Sequence, residues 1–258
     1  MSTNILVIPD TQIRPDNIDV NTPLLKAVGE LITSWRPDVI VHIGDHWDMH
    51  SLSTYDLAPR NRRTFDGGEV NEDFNVGWHG MEILMSSLTA LQAQQRLNKH
   101  KIYNPRKVFT MGNHEQRVDR FNELKGMIDI PAALEDFGFE VYDYLEPCYI
   151  EDIAFVHYAA NPLSGRPYGG TAEYRLNKMK TSFVQGHEQT FKYATEYLNN
   201  GRAISALVGG ACYLHDEPYK GPQGNNHYRG CFYLNDACDG VYDLEQVSAQ
   251  RLCGFRKS

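Results

Sequence analysis

The sequence predicts an α/β fold. Five short apolar runs, "NILVIPD", "PDVIVHIGD", "KVFTMGNHE", "IAFVHY" and "SFVQGHE", are rich in β-branched or aromatic residues, and each ends in a polar cluster. Longer stretches with apolar residues at helical spacing separate the first three runs. Strand and helix in alternation imply a mostly parallel sheet with helices outside it, and such sheets bind ligands at the carboxyl ends of their strands. All five polar clusters should then meet at one edge.

The first run, Asn4 to Asp10, reads as a buried strand that delivers a carboxylate to its end. In the following stretch, "NTPLLKAVGELITSWRP", Asn21 or Thr22 is the expected helix cap and Pro23 suits a first turn, where a missing N–H costs nothing. "PDVIVHIGD" is the second strand and closes a β-helix-β unit. A longer helical pattern from about Glu69 to His100 leads to the third strand, ending in "GNHE". The fourth and fifth strands end at His157 and at "GHEQ". The last stretch, "HYRGCFYLNDACDGVYDLEQVSAQRL", has alternating runs around the turn "CDG" and predicts an antiparallel hairpin.

At 258 residues the chain has the length of one ordinary domain, and a single domain over residues 1–258 is expected. The apolar run from Ile5 stops at Asp10 without a basic leader, and no stretch reaches the ~18 apolar residues that a membrane span needs. Five cysteines form an odd count with no C-x-x-C pair, so neither a disulfide framework nor a thiolate zinc site is predicted. A cytoplasmic protein is the expectation. The net charge of −8 argues against a broad electrostatic grip on duplex DNA. The small basic cluster Arg60, Arg62 and Arg63 reads as solvated loop charge.

Several chemistries are excluded. There is no G-x-x-x-x-G-K-[ST] loop and no G-x-G-x-x-G after a strand, "HEQRV" and "HEQTF" both fail H-E-x-x-H, and no G-x-S-x-G serine is present. What remains is a set of strand-end side chains offering carboxylate oxygen, amide oxygen or imidazole nitrogen: Asp10, Gln12, Asp45, Asn113, His157, His187 and Gln189, with His114 beside them. Such donors suit hard or borderline divalent ions: Mn, Mg, Fe or Zn.

The order D-x-Q, G-D-x-x-D, G-N-H-E, H, G-H-x-Q resembles the calcineurin-like metallophosphoesterases, whose pattern has histidine where Gln12 and Gln189 stand here; some branches, including phage-associated ones, carry glutamine. The resemblance spans residues 5–189 and implies a four-layer α/β/β/α sandwich. It also implies two divalent ions, one held by Asp10, Gln12, Asp45 and Gln189, the other by Asp45, Asn113, His157 and His187, with Asp45 bridging. Amide oxygens in place of imidazole weaken the first site and favour Mn or Mg over Zn. Asp48 is expected to support the site without ligating, and His114 would serve the leaving group as proton donor or charge stabiliser.

The implied function is metal-dependent hydrolysis of a phosphomonoester or phosphodiester, the substrate being a small molecule, a nucleotide or nucleic acid, with no membrane involved. The alternative is a non-catalytic binding module of the same fold. Two polar loops, "NPLSGRPYGGT" and "HDEPYKGPQGNNHYRG", bring Arg166, His215, Tyr219 and Arg229 as candidate substrate contacts.

Overall fold

Two mixed β-sheets pack face to face in the computed structural model, which describes residues 2–53, 66–124, 126–217 and 220–254. Arg60, Arg62, Arg63 and Tyr219 lie outside the described residues. In the first half of the chain β1 (Thr3–Ile8), α1 (Ile18–Trp35), β2 (Val39–His42), α2 (Gly67–Leu97), β3 (Arg106–Thr110), α3 (Ile130–Asp136) and β4 (Glu140–Tyr142) follow one another. The second half runs through β5 (Cys148–Ile150), β6 (Ile153–Phe155), α4 (Ala172–Met179), β7 (Ser182–Gln185), β8 (Phe191–Tyr197), β9 (Ala203–Gly209), α5 (Gly221–Gly224), β10 (Gly230–Cys238), β11 (Val241–Ser248) and α6 (Ala249–Cys253).

The first sheet has the order β11-β10-β1-β2-β3-β4 and the second β5-β6-β7-β9-β8. A single mostly parallel sheet is therefore not what forms. Each sheet has a parallel centre, β1 to β4 in one and β6-β7-β9 in the other, with antiparallel strands added outside it. The alternation of side chains along β1 explains the layering. Ile5 and Val7 join the apolar layer between the sheets, with Val41, Val108, Phe155, Val184 and Leu207, while Leu6 and Ile8 face Leu24, Val28, Met81 and Leu84 of α1 and α2. On the far side Phe183 and Ala206 pack with Ala172 and Leu176 of α4. The result is the four-layer α/β/β/α sandwich, and β1 reads as a continuous apolar run because both of its faces are buried.

α1 begins at Ile18, not at Asn21 or Thr22, which leaves Pro23 inside the helix. Tertiary contacts override the local signal. The Asn21 side chain accepts from Leu214 N at 2.7 Å and meets His215 Nδ1 at 2.9 Å, and Thr22 Oγ1 donates back to Ile18 O at 2.9 Å, so neither acts as a cap. α2 starts where Asp66 accepts from Gly68 N, two residues before the predicted Glu69. The C-terminal hairpin forms as predicted, with Asp239 and Gly240 both at positive φ, the geometry of a two-residue hairpin turn. Among the described residues, no helix is long and apolar enough to cross a membrane.

Candidate metal centre

Parallel pairing sets the position of the site. Ile8 pairs with His42 and His42 with Phe109, so β1, β2 and β3 run out at the same edge and release Asp10, Asp45 and Asn113 together. In the second sheet Phe155 pairs with Val184, bringing the residues after β6 and β7, His157 and His187, to that edge as well. Gln12, Asp45, His187 and Gln189 all adopt positive φ although none is glycine. Backbone strain of this kind costs on the order of 1–3 kcal/mol per residue and clusters at functional sites.

Asp45, His157 and His187 each present a ligand atom, all within 4.8 Å of one another. His157 Nε2 lies 3.3 Å from Asp45 Oδ2 and 3.0 Å from Asn113 Oδ1, and His187 Nδ1 lies 2.7 Å from the same amide oxygen. His157 Nδ1 sits 2.8 Å from Ile43 O and must carry the proton there, since a carbonyl only accepts. Nε2 faces two oxygens, so it must either carry a second proton or share a bound cation with them, and a histidine oriented by a backbone carbonyl is how proteins prepare metal ligands. The donor set of Asp45, Asn113, His157 and His187 fits a divalent ion.

Electrostatics favour positive charge at this point, carried by a proton on His157 where no ion is bound. Burial opposes charge on His157, but Asp45 and Asp10 outweigh it and push the imidazole up to about 9. Burial pushes Asp45 up, yet His114 and His157 hold it well below the usual carboxylate range. His187 is pushed down to about 4 by burial and by His157, so it stands as a neutral donor.

The Asp10 half is built differently. The buried Asp10 carboxylate accepts from His187 N at 3.1 Å on both oxygens, and burial pushes it up to about 6. A Cβ on Gly186 would fall 2.2 Å from Asp10 Oδ1, and one on Gly112 would fall 2.1 Å from Asp45 Oδ1, so glycine is required where these turns close over the carboxylates. Gln12 is buried and ties its N–H to Asp45 O at 2.9 Å. The amide oxygen of Gln189 accepts from Tyr213 Oη at 2.8 Å and from Lys220 Nζ. Both lone pairs of that oxygen are taken by this chain.

At the rim, His114 is half-buried. Its Nδ1 lies 2.6 Å from Asp48 Oδ1, its N–H donates to Asp45 Oδ1 at 2.9 Å, and Arg117 Nη2 approaches Nε2 at 3.2 Å. Burial opposes its charge, but Asp45 and Asp48 raise its pKa. Asp48 therefore orients His114, and Arg14 holds Asp48 in turn at 2.9 Å.

The motif glutamate Glu115 was not singled out in the sequence, yet its fully buried carboxylate accepts four backbone N–H groups, from Asp45 (2.9 Å), His46 (2.6 Å), Trp47 (3.0 Å) and Gly112 (2.9 Å). Burial pushes its pKa up to about 7, against these bonds. With donors on both oxygens, protonation would set an O–H against N–H groups, so the geometry holds the ionised form. Another hidden element is the chain Gly44 N to His42 Nδ1, His42 Nε2 to Thr11 Oγ1, Thr11 Oγ1 to His46 Nδ1 and His46 Nε2 to Gly77 O. One direction of donation satisfies every member with both rings neutral, consistent with the lowering of both histidines by burial.

Of the predicted substrate contacts, the three that the structure describes are engaged within the protein or exposed. His215 is buried against Asn17, Asn21 and Glu217 and ties its loop to the start of α1, while Arg229 donates to Leu214 O, Asp216 Oδ1 and Asn225 O and stitches its own loop. Arg166 stands exposed in the 159–170 loop, which with the start of α4 forms a cleft of 370 Å³ lined by Asn161, Tyr168 and Tyr174 rather than by the strand-end residues. Polar side chains on these loops satisfy the loop backbone, which composition alone does not reveal.

No protein-family model matches the sequence, and no curated protein matches it. Among solved structures the fold is similar to that of Yfce, a phosphoesterase from E. coli, at 13% identity over 95% of this chain and 99% of that one, with a TM-score of 0.41. It is also similar to a predicted phosphoesterase from Streptococcus pneumoniae (10% identity, 96% and 99% coverage, TM-score 0.35) and to the nuclease MPE of Pseudomonas putida (14% identity, 90% and 84% coverage, TM-score 0.32). Likenesses this distant carry no weight for the chemistry, which rests on the residues themselves.

Proposed function

We propose that this chain is a calcineurin-like metallophosphoesterase that hydrolyses a phosphoester with a divalent ion held by Asp45, Asn113, His157 and His187. The observation that carries the reading is the convergence of His157 Nε2 on Asp45 Oδ2 and Asn113 Oδ1, a nitrogen and two oxygens gathered where a divalent ion would displace the ring proton, with Nδ1 held by Ile43 O. A divalent ion at such a site polarises a phosphoryl oxygen and lowers the pKa of a water nucleophile. The oxygen and imidazole donors favour Mn, with Mg, Fe or Zn as alternatives.

The rest is done by the chain. Asp10, Asp45 and His157 form a buried floor, and the half-buried Asn113, His114 and His187 form the side from which a substrate enters. Asp48 fixes His114 by its Nδ1; Nε2, which Arg117 Nη2 approaches at 3.2 Å, would give a proton to the departing ester oxygen or a hydrogen bond to a phosphate oxygen once the guanidinium turns to the phosphate. Arg117, beside that ring, adds positive charge for a phosphate. No protein nucleophile is required.

A second reading, a non-catalytic binding module, draws support from Gln189, whose oxygen is already occupied by Tyr213 and Lys220. Turnover of aryl phosphomonoesters, aryl phosphodiesters and single-stranded DNA with Mn, Mg, Zn or chelator separates the two. Metal-dependent hydrolysis of any of them supports the enzyme. Bound metal without turnover of any supports the module.

A further inference from the structure

The two halves of the strand-end cluster are equipped unequally. In the Asp45 half, His157 Nε2 converges with the Asp45 and Asn113 oxygens, a donor set that a divalent ion fits. In the Asp10 half a cation is already supplied. Asp10 and Gln189 share one turn: Gly186 packs on Asp10 Oδ1, His187 N donates to the Asp10 carboxylate, and Gln189 follows at positive φ. The segment after β9 is bonded to the same place, because Cys212 N donates to Asp10 O at 2.7 Å. That segment carries Tyr213, whose hydroxyl donates to Gln189 Oε1, and Lys220, whose ammonium donates to the same oxygen.

The loop that delivers Lys220 is a built structure. Glu217 is held by Arg14 at 3.1 Å and by His215 at 2.8 Å, its backbone N–H and C=O are both bonded to the Asn225 side chain, and Arg229 closes the loop onto Leu214 O at 2.6 Å. Burial lowers the pKa of the half-buried Lys220 ammonium, and Glu217 and Asp10 oppose that lowering. Gln189 completes the pattern, because its neutral amide oxygen is a good acceptor for an ammonium and a hydroxyl together.

We propose that Lys220, hydrogen-bonded to Gln189 Oε1 beside Asp10, supplies as a fixed side-chain cation the charge that an ion would otherwise bring to this half, so that the protein holds one divalent ion and not two. The inference rests on the metal-dependent reading above and alters its metal count. An ammonium has no acceptor capacity and cannot activate water, so Lys220 would neutralise the buried Asp10 and bond a phosphate oxygen, while water activation falls to the single ion.

The test is to strip the full-length protein of metal, titrate it with Mn²⁺, count bound Mn by elemental analysis and record its electron paramagnetic resonance. The proposal expects one equivalent with the signal of an isolated ion in the unaltered protein. Lys220→Met, checked for folding by its melting temperature, should take up a second equivalent and give the signal of a spin-coupled pair, and Lys220→Arg should stay at one. Two equivalents and a coupled pair in the unaltered protein overturn the proposal while leaving the metal-dependent function intact, and this arm needs no variant. A folded Lys220→Met that still binds only one equivalent overturns the role given to the lysine. No bound Mn at all overturns the metal-dependent reading and this inference with it.

Discussion

Glu115 offers the sharpest test of how the site is built. Replacing it with glutamine preserves shape and one acceptor oxygen, which can still serve one pair of donors, either Asp45 and Gly112 or His46 and Trp47. The other pair then faces an amide NH2, donor against donor, in a fully buried position. Each buried N–H left without a partner costs about 1–3 kcal/mol, so Glu115→Gln should lose roughly 2–6 kcal/mol of stability. Against a typical total of about 5–15 kcal/mol this is a large share. Urea denaturation in chelator, followed by tryptophan fluorescence, measures it without any metal contribution; Trp47 lies in the affected turn and is fully buried. The turn also carries Asp45, so Mn affinity should fall as well. A loss below about 0.5 kcal/mol, the range of ordinary surface changes, with Mn affinity unaltered would refute the reasoning.

Other outcomes follow from the same geometry. His114→Ala should retain Mn while kcat falls by on the order of 10²–10⁴, the usual weight of a general acid, and by less for esters with good leaving groups; loss of metal together with rate would make His114 structural. Asp48→Asn should also lower kcat, and the double variant with His114→Ala should be no slower than His114→Ala alone, because Asp48 acts through that ring; additive losses would contradict this. Mn at 100 times its dissociation constant should stabilise the unaltered protein by about 2.7 kcal/mol and leave Asp45→Asn unmoved in thermal melts; an equal shift in both would place the ion elsewhere. Gly112→Ala, whose Cβ would meet Asp45 Oδ1 at 2.1 Å, should weaken Mn binding, whereas Gly169→Ala, with nothing within 4 Å, should not; matching behaviour would count against the close-packed turn.

The legible parts of this molecule are those governed by local pattern. Asp10, Asp45, Asn113, His157 and His187 could be found because each ends a short apolar run, and parallel pairing then brings such ends to one edge whatever the intervening residues are. The hairpin at Cys238–Gly240 was legible because turn chemistry is local. What escaped depends on contacts distant in sequence. Asn17 and Asn21 engage the 213–217 segment across almost the whole chain, and that engagement moves the start of α1. Glu115 looks like any motif glutamate until four backbone donors from two turns are seen around it. The glutamines were legible as departures from a pattern, but their partners Tyr213 and Lys220 were not, because nothing near Gln189 points to residues 24 and 31 positions away.

The central claim is that Asp45, Asn113, His157 and His187 hold a divalent ion that makes phosphoester hydrolysis possible. It is tested most directly by following hydrolysis of an aryl phosphoester by chelator-stripped protein as Mn is restored, with His157→Ala in parallel. The account predicts no turnover after stripping, recovery that saturates together with bound Mn, and neither binding nor recovery in the folded variant. Turnover that survives chelation, or recovery in His157→Ala equal to that of the unaltered protein, would contradict it.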